Sequence, residues 1–169
     1  MLVFKDGSYV TNLPKVLVAI PAYNEEECIE GTILELKRVA PEFDFVVIND
    51  GSRDCTLELC TNLGCNVINM LINCGLTVGF QTAACYALEN DYDYMVQFDA
   101  DGQHRPEYIS ELVSKAQFDN ADIVIGSRFL SMRKDMSMRM FGSRMITFII
   151  KMLTGKRISD PTSGFRLFN

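Results

Sequence analysis

The chain has no C-x-x-C pair among its six cysteines (Cys28, Cys55, Cys60, Cys65, Cys74 and Cys85) and only one histidine, His104. A structural zinc site is therefore not expected, because it needs Cys or His ligands at short, paired spacings. Most of the cysteines read as small buried apolar residues of a reducing cytoplasm, and nothing pairs Cys55 or Cys60 with a catalytic histidine. Long hydrophobic runs are also missing. The best candidate, Met145 to Leu153, falls far short of the roughly 20 residues that a membrane-spanning helix needs. The first residues, MLVFKDGSYV, lack a basic region followed by a long apolar one, so no signal peptide is expected. Internal repeats and low-complexity tracts are absent as well.

What is present is an ordinary globular composition. The 169 residues suffice for one domain with a real core, and they are 48% hydrophobic and 22% charged. The charge is segregated: residues 1–125 carry 7 Lys and Arg against 20 Asp and Glu, net −13, whereas residues 126–169 carry 9 against 2, net +7. The acidic part suits a metal. The basic part suits an anion or an anionic membrane surface, unless it is only a solvated helix face. No nucleic-acid partner is expected, and nothing in the pattern specifies an oligomeric state.

Apolar periodicity alternates between strands and helices. Lys15 to Ile20 is a continuous run fit for a strand buried on both faces, and Pro21 ends it. From Glu25 to Val39 the residues Ile29, Ile33, Leu36 and Val39 form a helical stripe, with Glu25 and Glu26 as first-turn acids. Phe43 to Ile48 predicts a second strand, closed by Asn49-Asp50-Gly51-Ser52. Asp54 can cap a short helix that Gly64 stops, and Cys65 to Met70 predicts a third strand. A helix from about Leu76 to Asn90 leads to a fourth strand that carries Asp99 at its end; Pro106 opens a helix to about Phe118, and Asp122 to Ile125 is a fifth strand. Met136 to Thr154 reads as a last helix. Gly164 to Phe168 starts a further strand just before Asn169, so the domain is expected to be incomplete on that side. This order predicts an α/β fold, a mostly parallel sheet sandwiched by helices.

The most informative local feature is Asp99-Ala100-Asp101, two carboxylates at a strand end, followed by Gly102-Gln103-His104-Arg105-Pro106. Open α/β sheets bind ligands at the carboxyl edge of their strands. Hard oxygen donors there suit Mg²⁺ or Mn²⁺, which keep open positions that a diphosphate can fill. Taken alone, the pair is equally explained as acids decorating a strand end. Two further strand ends carry polar clusters at the same edge, Ile20-Pro21-Ala22-Tyr23-Asn24-Glu25-Glu26 and Asn49-Asp50-Gly51-Ser52-Arg53-Asp54.

In that order and with those strings, residues 14–169 resemble the family 2 glycosyltransferases of the Rossmann-like GT-A fold. Within them the match is to the polyprenyl-phosphate sugar synthases, the dolichyl-phosphate mannosyltransferase-like branch, whose late signature is matched by Asp160-Pro161-Thr162-Ser163-Gly164-Phe165-Arg166. The resemblance implies that Pro21, Ala22, Tyr23, Glu25, Gly75, Asp99 and Ala100 bind the nucleotide sugar, and that Asp50 accepts a hydrogen bond from the base. An ionised Asp is an acceptor only and so reads an N–H of uracil or guanine; locally, Asp50 is equally explained as a turn residue before Gly51. Asp99, Asp101 and Gln103 are implied to hold the Mg²⁺ or Mn²⁺ that bridges the donor phosphates. Asn73 to Thr82 matches the family's glycine-rich helix start, with Thr77 and Val78 where relatives carry small residues.

For the acceptor, Arg128 matches the arginine that binds a lipid phosphate, and the second is Arg139 or Arg144; a guanidinium fork suits phosphate. Asp160 is implied to lie near the reacting sugar, as base or hydroxyl ligand, or else it caps its loop before Pro161. His104 follows the metal motif, and a lone exposed histidine is more often incidental than functional. The stripe Ile146, Ile149, Ile150 and Leu153, flanked by Arg139, Arg144, Lys151, Lys156 and Arg157, reads either as core or as an interfacial helix on an anionic membrane.

The resemblance thus implies that residues 1–169 are the nucleotide-sugar-binding part of an inverting, metal-dependent catalytic domain, with Asp99, Asp101, Asp160 and Arg128 catalytic. It would move a hexose from a UDP- or GDP-sugar to a polyprenyl phosphate, as a cytoplasmic protein peripheral at or tethered to the inner membrane face. A phosphate acceptor is already anionic and requires no strong general base, whereas a sugar hydroxyl does. The alternatives are a family 2 enzyme extending a cell-surface polysaccharide and a non-catalytic nucleotide-sugar-binding module. A nucleotidyltransferase would carry a glycine-rich basic phosphate loop, which Pro21-Ala22-Tyr23-Asn24 does not supply.

Overall fold

The computed structural model describes residues 14–102, 104–127, 152, 155 and 163–169. Strands and helices alternate as β1 (Val16–Ala22), α1 (Ile29–Val39), β2 (Asp44–Asp50), α2 (Thr56–Asn62), β3 (Asn66–Met70), α3 (Leu76–Glu89) and β4 (Tyr94–Gln97). A 3-10 turn (Pro106–Tyr108) then leads into α4 (Ile109–Asp119) and β5 (Ile123–Ile125), and β6 (Arg166–Phe168) follows near the end of the chain. The sheet has six strands in the order β3-β2-β1-β4-β6-β5. β1 pairs in parallel with β2 and β4, and β2 with β3, while β6 lies antiparallel between β4 and β5. The strand expected from Gly164 onward is thus the one that runs against the others.

Alternation along β1 explains why its sequence is apolar throughout. Val16, Val18 and Ile20 pack on one face with Ile29, Ile33 and Leu36 of α1 and with Ile109, Leu112 and Ala116 of α4. Leu17 and Ala19 face the other way, onto Val46, Ile48, Ala83 and Ala87. A strand covered on both sides has no position at which a polar residue could stay solvated.

Two expectations are corrected. The first helix begins at Ile29 rather than Glu25, with the Ile29 amide bonded at 2.9 Å to the Glu25 carbonyl; the amides of Glu25 and Glu26 are bound by the Thr56 hydroxyl and the Asp54 carboxylate, and Glu30 is the first-turn acid of α1. Nor are most cysteines buried: Cys60 is, Cys28 and Cys65 are half-buried, and Cys55, Cys74 and Cys85 are exposed on loops and on the outer side of α3. All six are free thiols. Burial pushes the Cys60 thiol up to about 11, with the neighbouring Cys65 adding to the effect. The helix expected over residues 136–154, with its apolar stripe, lies outside the described residues. Among the described residues no helix is long and apolar enough to cross a membrane.

Candidate active site

The strand order reverses direction of growth at β1: β2 and β3 are added on one side, β4 on the other. In such sheets a crevice opens at the carboxyl ends of the two strands flanking the switch. The ladder between β1 and β4 stops at Ala19 and Gln97, with one further bond of 2.9 Å from the Phe98 amide to the Ala19 carbonyl. The ladder between β1 and β2 continues to Ala22 and Asn49. Ile20–Ala22 therefore stays with β2 while the chain after Phe98 departs. Pro21, Ala22, Tyr23 and Glu25 lie on one side of that divergence, and Asp99 and Asp101 on the other.

The Asp99-Ala100-Asp101 segment is held from below. Ala100 is buried in the core, and its carbonyl accepts a 2.9 Å bond from the hydroxyl of Thr32, a buried residue of α1. Any part that Ala100 takes in ligand binding is consequently played by its backbone. Asp99 is half-buried and Asp101 exposed. His104, expected to be exposed, is 7% exposed, and its Nε2 lies 2.8 Å from Asp99 Oδ2. The imidazole stacks on Phe165 at 5.2 Å and meets the edge of Phe98 at 5.5 Å.

The described part of the late signature closes this cluster. β6 pairs Arg166 with Gln97, so the residues just before Arg166 run alongside those just after Gln97. Gly164 there lies flat against the Asp99 carboxylate, and a Cβ at this position would overlap Asp99 Oδ2 and come within 2.7 Å of its Cγ. Ser163 is fully buried; its hydroxyl accepts the Phe165 amide at 3.2 Å and its carbonyl accepts Arg166 Nε at 2.7 Å.

Carboxylates at the other strand ends act as helix caps across loops. Helices α1, α2 and α3 have no side-chain cap of their own. Asp50 Oδ1 accepts the Cys74 amide at 2.7 Å and Oδ2 the Gly75 amide at 2.8 Å, placing a negative charge at the amino end of α3. Gly51, at φ +66°, lets this loop pass, since a Cβ there would sit 2.6 Å from the Asn73 amide nitrogen. Between the first two loops, Asp54 Oδ2 accepts the Glu26 amide at 3.1 Å, and Glu26 Oε2 accepts the Cys55 amide at 2.9 Å. Thr56 joins them, its hydroxyl donating to Asp54 Oδ1 at 2.6 Å and accepting from the Glu25 amide at 2.9 Å. Asp54 thus reaches the first helical residue of α2, as expected of a cap, and binds the preceding loop as well.

The edge is electrostatically crowded. Burial first, then the charges of Asp101, Asp54 and Asp99, raise the Glu25 carboxyl above its ordinary value. Among the described residues no three His, Cys, Asp or Glu side chains gather into a ready metal cage. Mg²⁺ and Mn²⁺ take one or two carboxylates and fill the remaining positions with water and substrate phosphate. The surplus negative charge felt at Glu25 and the glycine cradle under Asp99 fit a hard cation held by Asp99 and Asp101. Gln103, Arg128, Arg139, Arg144 and Asp160 lie outside the described residues.

A family model described as glycosyl transferase family 2 matches residues 17–169. The chain belongs to that family. Its relatives include an undecaprenyl-phosphate mannosyltransferase of Micrococcus luteus, 30% identical over 91% of this chain and 66% of that protein. Another is a polyprenol monophosphomannose synthase of Mycolicibacterium smegmatis, 29% identical over 97% of this chain and 65% of that one. The similarity therefore falls in the polyprenyl-phosphate sugar transferase branch of family 2. The fold is that of glucosyl-3-phosphoglycerate synthase from Mycobacterium tuberculosis, solved with Mn²⁺, UDP-glucose and phosphoglyceric acid. The TM-score is 0.72 at 19% identity, over 92% of this chain and 56% of that one. This is the GT-A fold expected from the strand-end motifs. The family 2 chain spans about two thirds of the length of these curated relatives.

Sequence reasoning overlooked Thr32 and misjudged His104. Thr32 had a signal, a hydroxyl on the same helical face as the buried Ile29, Ile33 and Leu36. His104 had none, because its burial depends on Phe165, 61 residues further along the chain.

Proposed function

We propose that this chain is the donor-binding part of an inverting, metal-dependent glycosyltransferase that moves a hexose from a UDP- or GDP-sugar to a polyprenyl phosphate. The observation that carries this reading is the meeting of Asp99 and Asp101 with the Pro21–Glu25 strand end at the switch-point crevice, where Glu25 already feels surplus negative charge. Asp99, Asp101 and Gln103 would hold Mg²⁺ or Mn²⁺. Such a cation offsets the charge that builds on the departing nucleoside diphosphate. Pro21, Ala22, Tyr23, Glu25 and Gly75 bound the donor, and Asp50 takes the base N–H with lone pairs left over from its two backbone bonds. An acceptor phosphate oxygen, positioned by Arg128 with Arg139 or Arg144, attacks the anomeric carbon from the face opposite the diphosphate. The carbon–oxygen bond to the diphosphate breaks, and the configuration inverts. Asp160 orients the sugar. The branch to which the relatives belong supports the lipid-phosphate acceptor, and the basic 126–169 segment supports a site on the cytoplasmic face of an anionic membrane.

Calorimetry with UDP- and GDP-sugars, with and without Mn²⁺, tests the donor half. Binding should require the cation, and Asp101→Ala should weaken it at least tenfold, or about 1.4 kcal/mol. Affinity indifferent to both chelator and Asp101 would refute it. Transfer to a polyprenyl phosphate that Arg128→Ala leaves at the parent rate would favour a polysaccharide acceptor.

A further inference from the structure

His104 is a buried titratable side chain that the reaction outlined above does not use. It is 7% exposed, five residues beyond Asp99, and held in a triangle of rings: face to face with Phe165 (22° between planes) and edge-on to Phe98 (68°), which itself meets Phe165 at 87°. Two ring contacts fix the imidazole plane, and the imidazole Nε2 in turn holds Asp99 Oδ2 at 2.8 Å. Gly164 packs against the same carboxylate, because nothing larger than a hydrogen atom fits between its backbone and Asp99. Asp99 is thereby held by two residues 60 positions apart in the chain. Asp101 lies exposed beside Gly102, whose φ is +72°.

We infer that His104 is a positioning residue, donating a hydrogen bond from Nε2–H to Asp99 Oδ2 so that this carboxylate meets a divalent cation already in its binding orientation. The inference rests on the proposed function for the presence of the cation. Outer partners that orient a ligating carboxylate typically change metal affinity by about 10–100-fold when removed. The rings Phe98 and Phe165 give His104 its second task, coupling the Asp99 turn to the 163–165 segment.

Two substitutions separate the bond from the packing. His104→Phe keeps a ring of similar size in the aromatic triangle and removes the donor. His104→Gln keeps an N–H donor at similar reach and removes the ring. Mn²⁺ affinity, read by electron paramagnetic resonance in the presence of UDP and separately of GDP, is compared with the melting temperature of the metal-free protein. His104→Phe should melt near the parent and bind Mn²⁺ about 10–100-fold more weakly. His104→Gln should melt lower and keep Mn²⁺ affinity within about threefold, well inside that range. Parent-like Mn²⁺ affinity in His104→Phe would overturn the inference and leave the proposed function standing. So would losses of affinity that merely follow the melting temperature in both variants, or a His104→Phe protein that does not fold. A parent protein that binds Mn²⁺ with neither nucleotide would overturn both.

Discussion

Glu26 and Asp54 cap each other's loops: the Asp54 carboxylate accepts the Glu26 amide ahead of α1, and the Glu26 carboxylate accepts the Cys55 amide at the start of α2. The exchange ties the first two strand-end loops together into one wall of the crevice. Removing either acid should cost about 1 kcal/mol, in the usual range for a lost cap, and the double variant should cost less than the sum because the loops are coupled. Urea denaturation of Glu26→Ala, Asp54→Ala and the pair would read this out; strict additivity would mean that the loops are independent.

Asp54 also gives that wall a pH dependence. Partial burial pushes its pKa up, but bonds from the Thr56 hydroxyl and from the Thr56 and Glu26 amides outweigh this and hold it below the ordinary 3.8. A depressed carboxyl stabilises the fold above the unfolded value, and this is lost as pH falls through the folded one. Thermal melts below pH 4 should therefore fall more steeply for the parent than for Asp54→Asn, a pH set by that ordinary value.

Glu25 has the opposite sign. Burial and the charges of Asp101, Asp54 and Asp99 raise its carboxyl above 4.5, so the folded state binds the proton more tightly than the unfolded chain. Its contribution is fully present below 4.5 and is lost as pH rises through the raised value. Glu25→Gln should therefore gain stability relative to the parent as the pH is raised from 4.5 to 7, in metal-free buffer. A difference between the two proteins that stays constant over that interval would remove the electrostatic crowding on which the cation site was argued.

The sheet was legible because each β strand and helix up to β5 is a local apolar pattern bounded by Gly, Pro, Asn or Asp, and period decides type. What surrounds the acids was not legible. Glu25 and Glu26 have the local form of first-turn acids, yet Thr56 and Asp54, 31 and 28 residues away, bind their amides. Asp50 has the local form of a turn residue, and its carboxylate instead reaches 24 and 25 residues ahead. His104 and Gly164 depend on β6 lying antiparallel beside β4, a pairing that no local period encodes.

That same pairing makes Gly164 indispensable for a reason unrelated to backbone freedom, since its φ is not among the positive ones. A methyl group there collides with Asp99. Gly164→Ala should destabilise the protein by about 1–3 kcal/mol, as overpacking does, and weaken Mn²⁺ binding. Asp99→Ala in the same chain should restore much of the stability without restoring the cation. If the double variant melts no higher than Gly164→Ala, the strain lies elsewhere.

Asp50 holds a loop and is proposed to read the base, and affinity alone would not separate the two. Its oxygens hold the Cys74 and Gly75 amides, so Asp50→Ala leaves two donors at the head of α3 without their acceptor. Cys74 is exposed and Gly75 half-buried, so the cost is that of a lost helix cap, about 0.5–2 kcal/mol, and loosening the loop would weaken every nucleotide alike. Asp50→Asn is the sharper probe. It keeps one oxygen for the loop but presents an amide group that donates where the carboxylate accepted, which an N–H of uracil or guanine cannot match. The expected outcome is a collapse of the parent's preference between UDP and GDP: both weaken by the one loop bond that the amide group gives up, and the favoured one loses about 1.5–3 kcal/mol more, the worth of a hydrogen bond to a charged group. Calorimetric titration of both nucleotides into both proteins measures this ratio. Equal weakening of UDP and GDP would assign Asp50 to the loop alone and return base selection to other residues of the crevice.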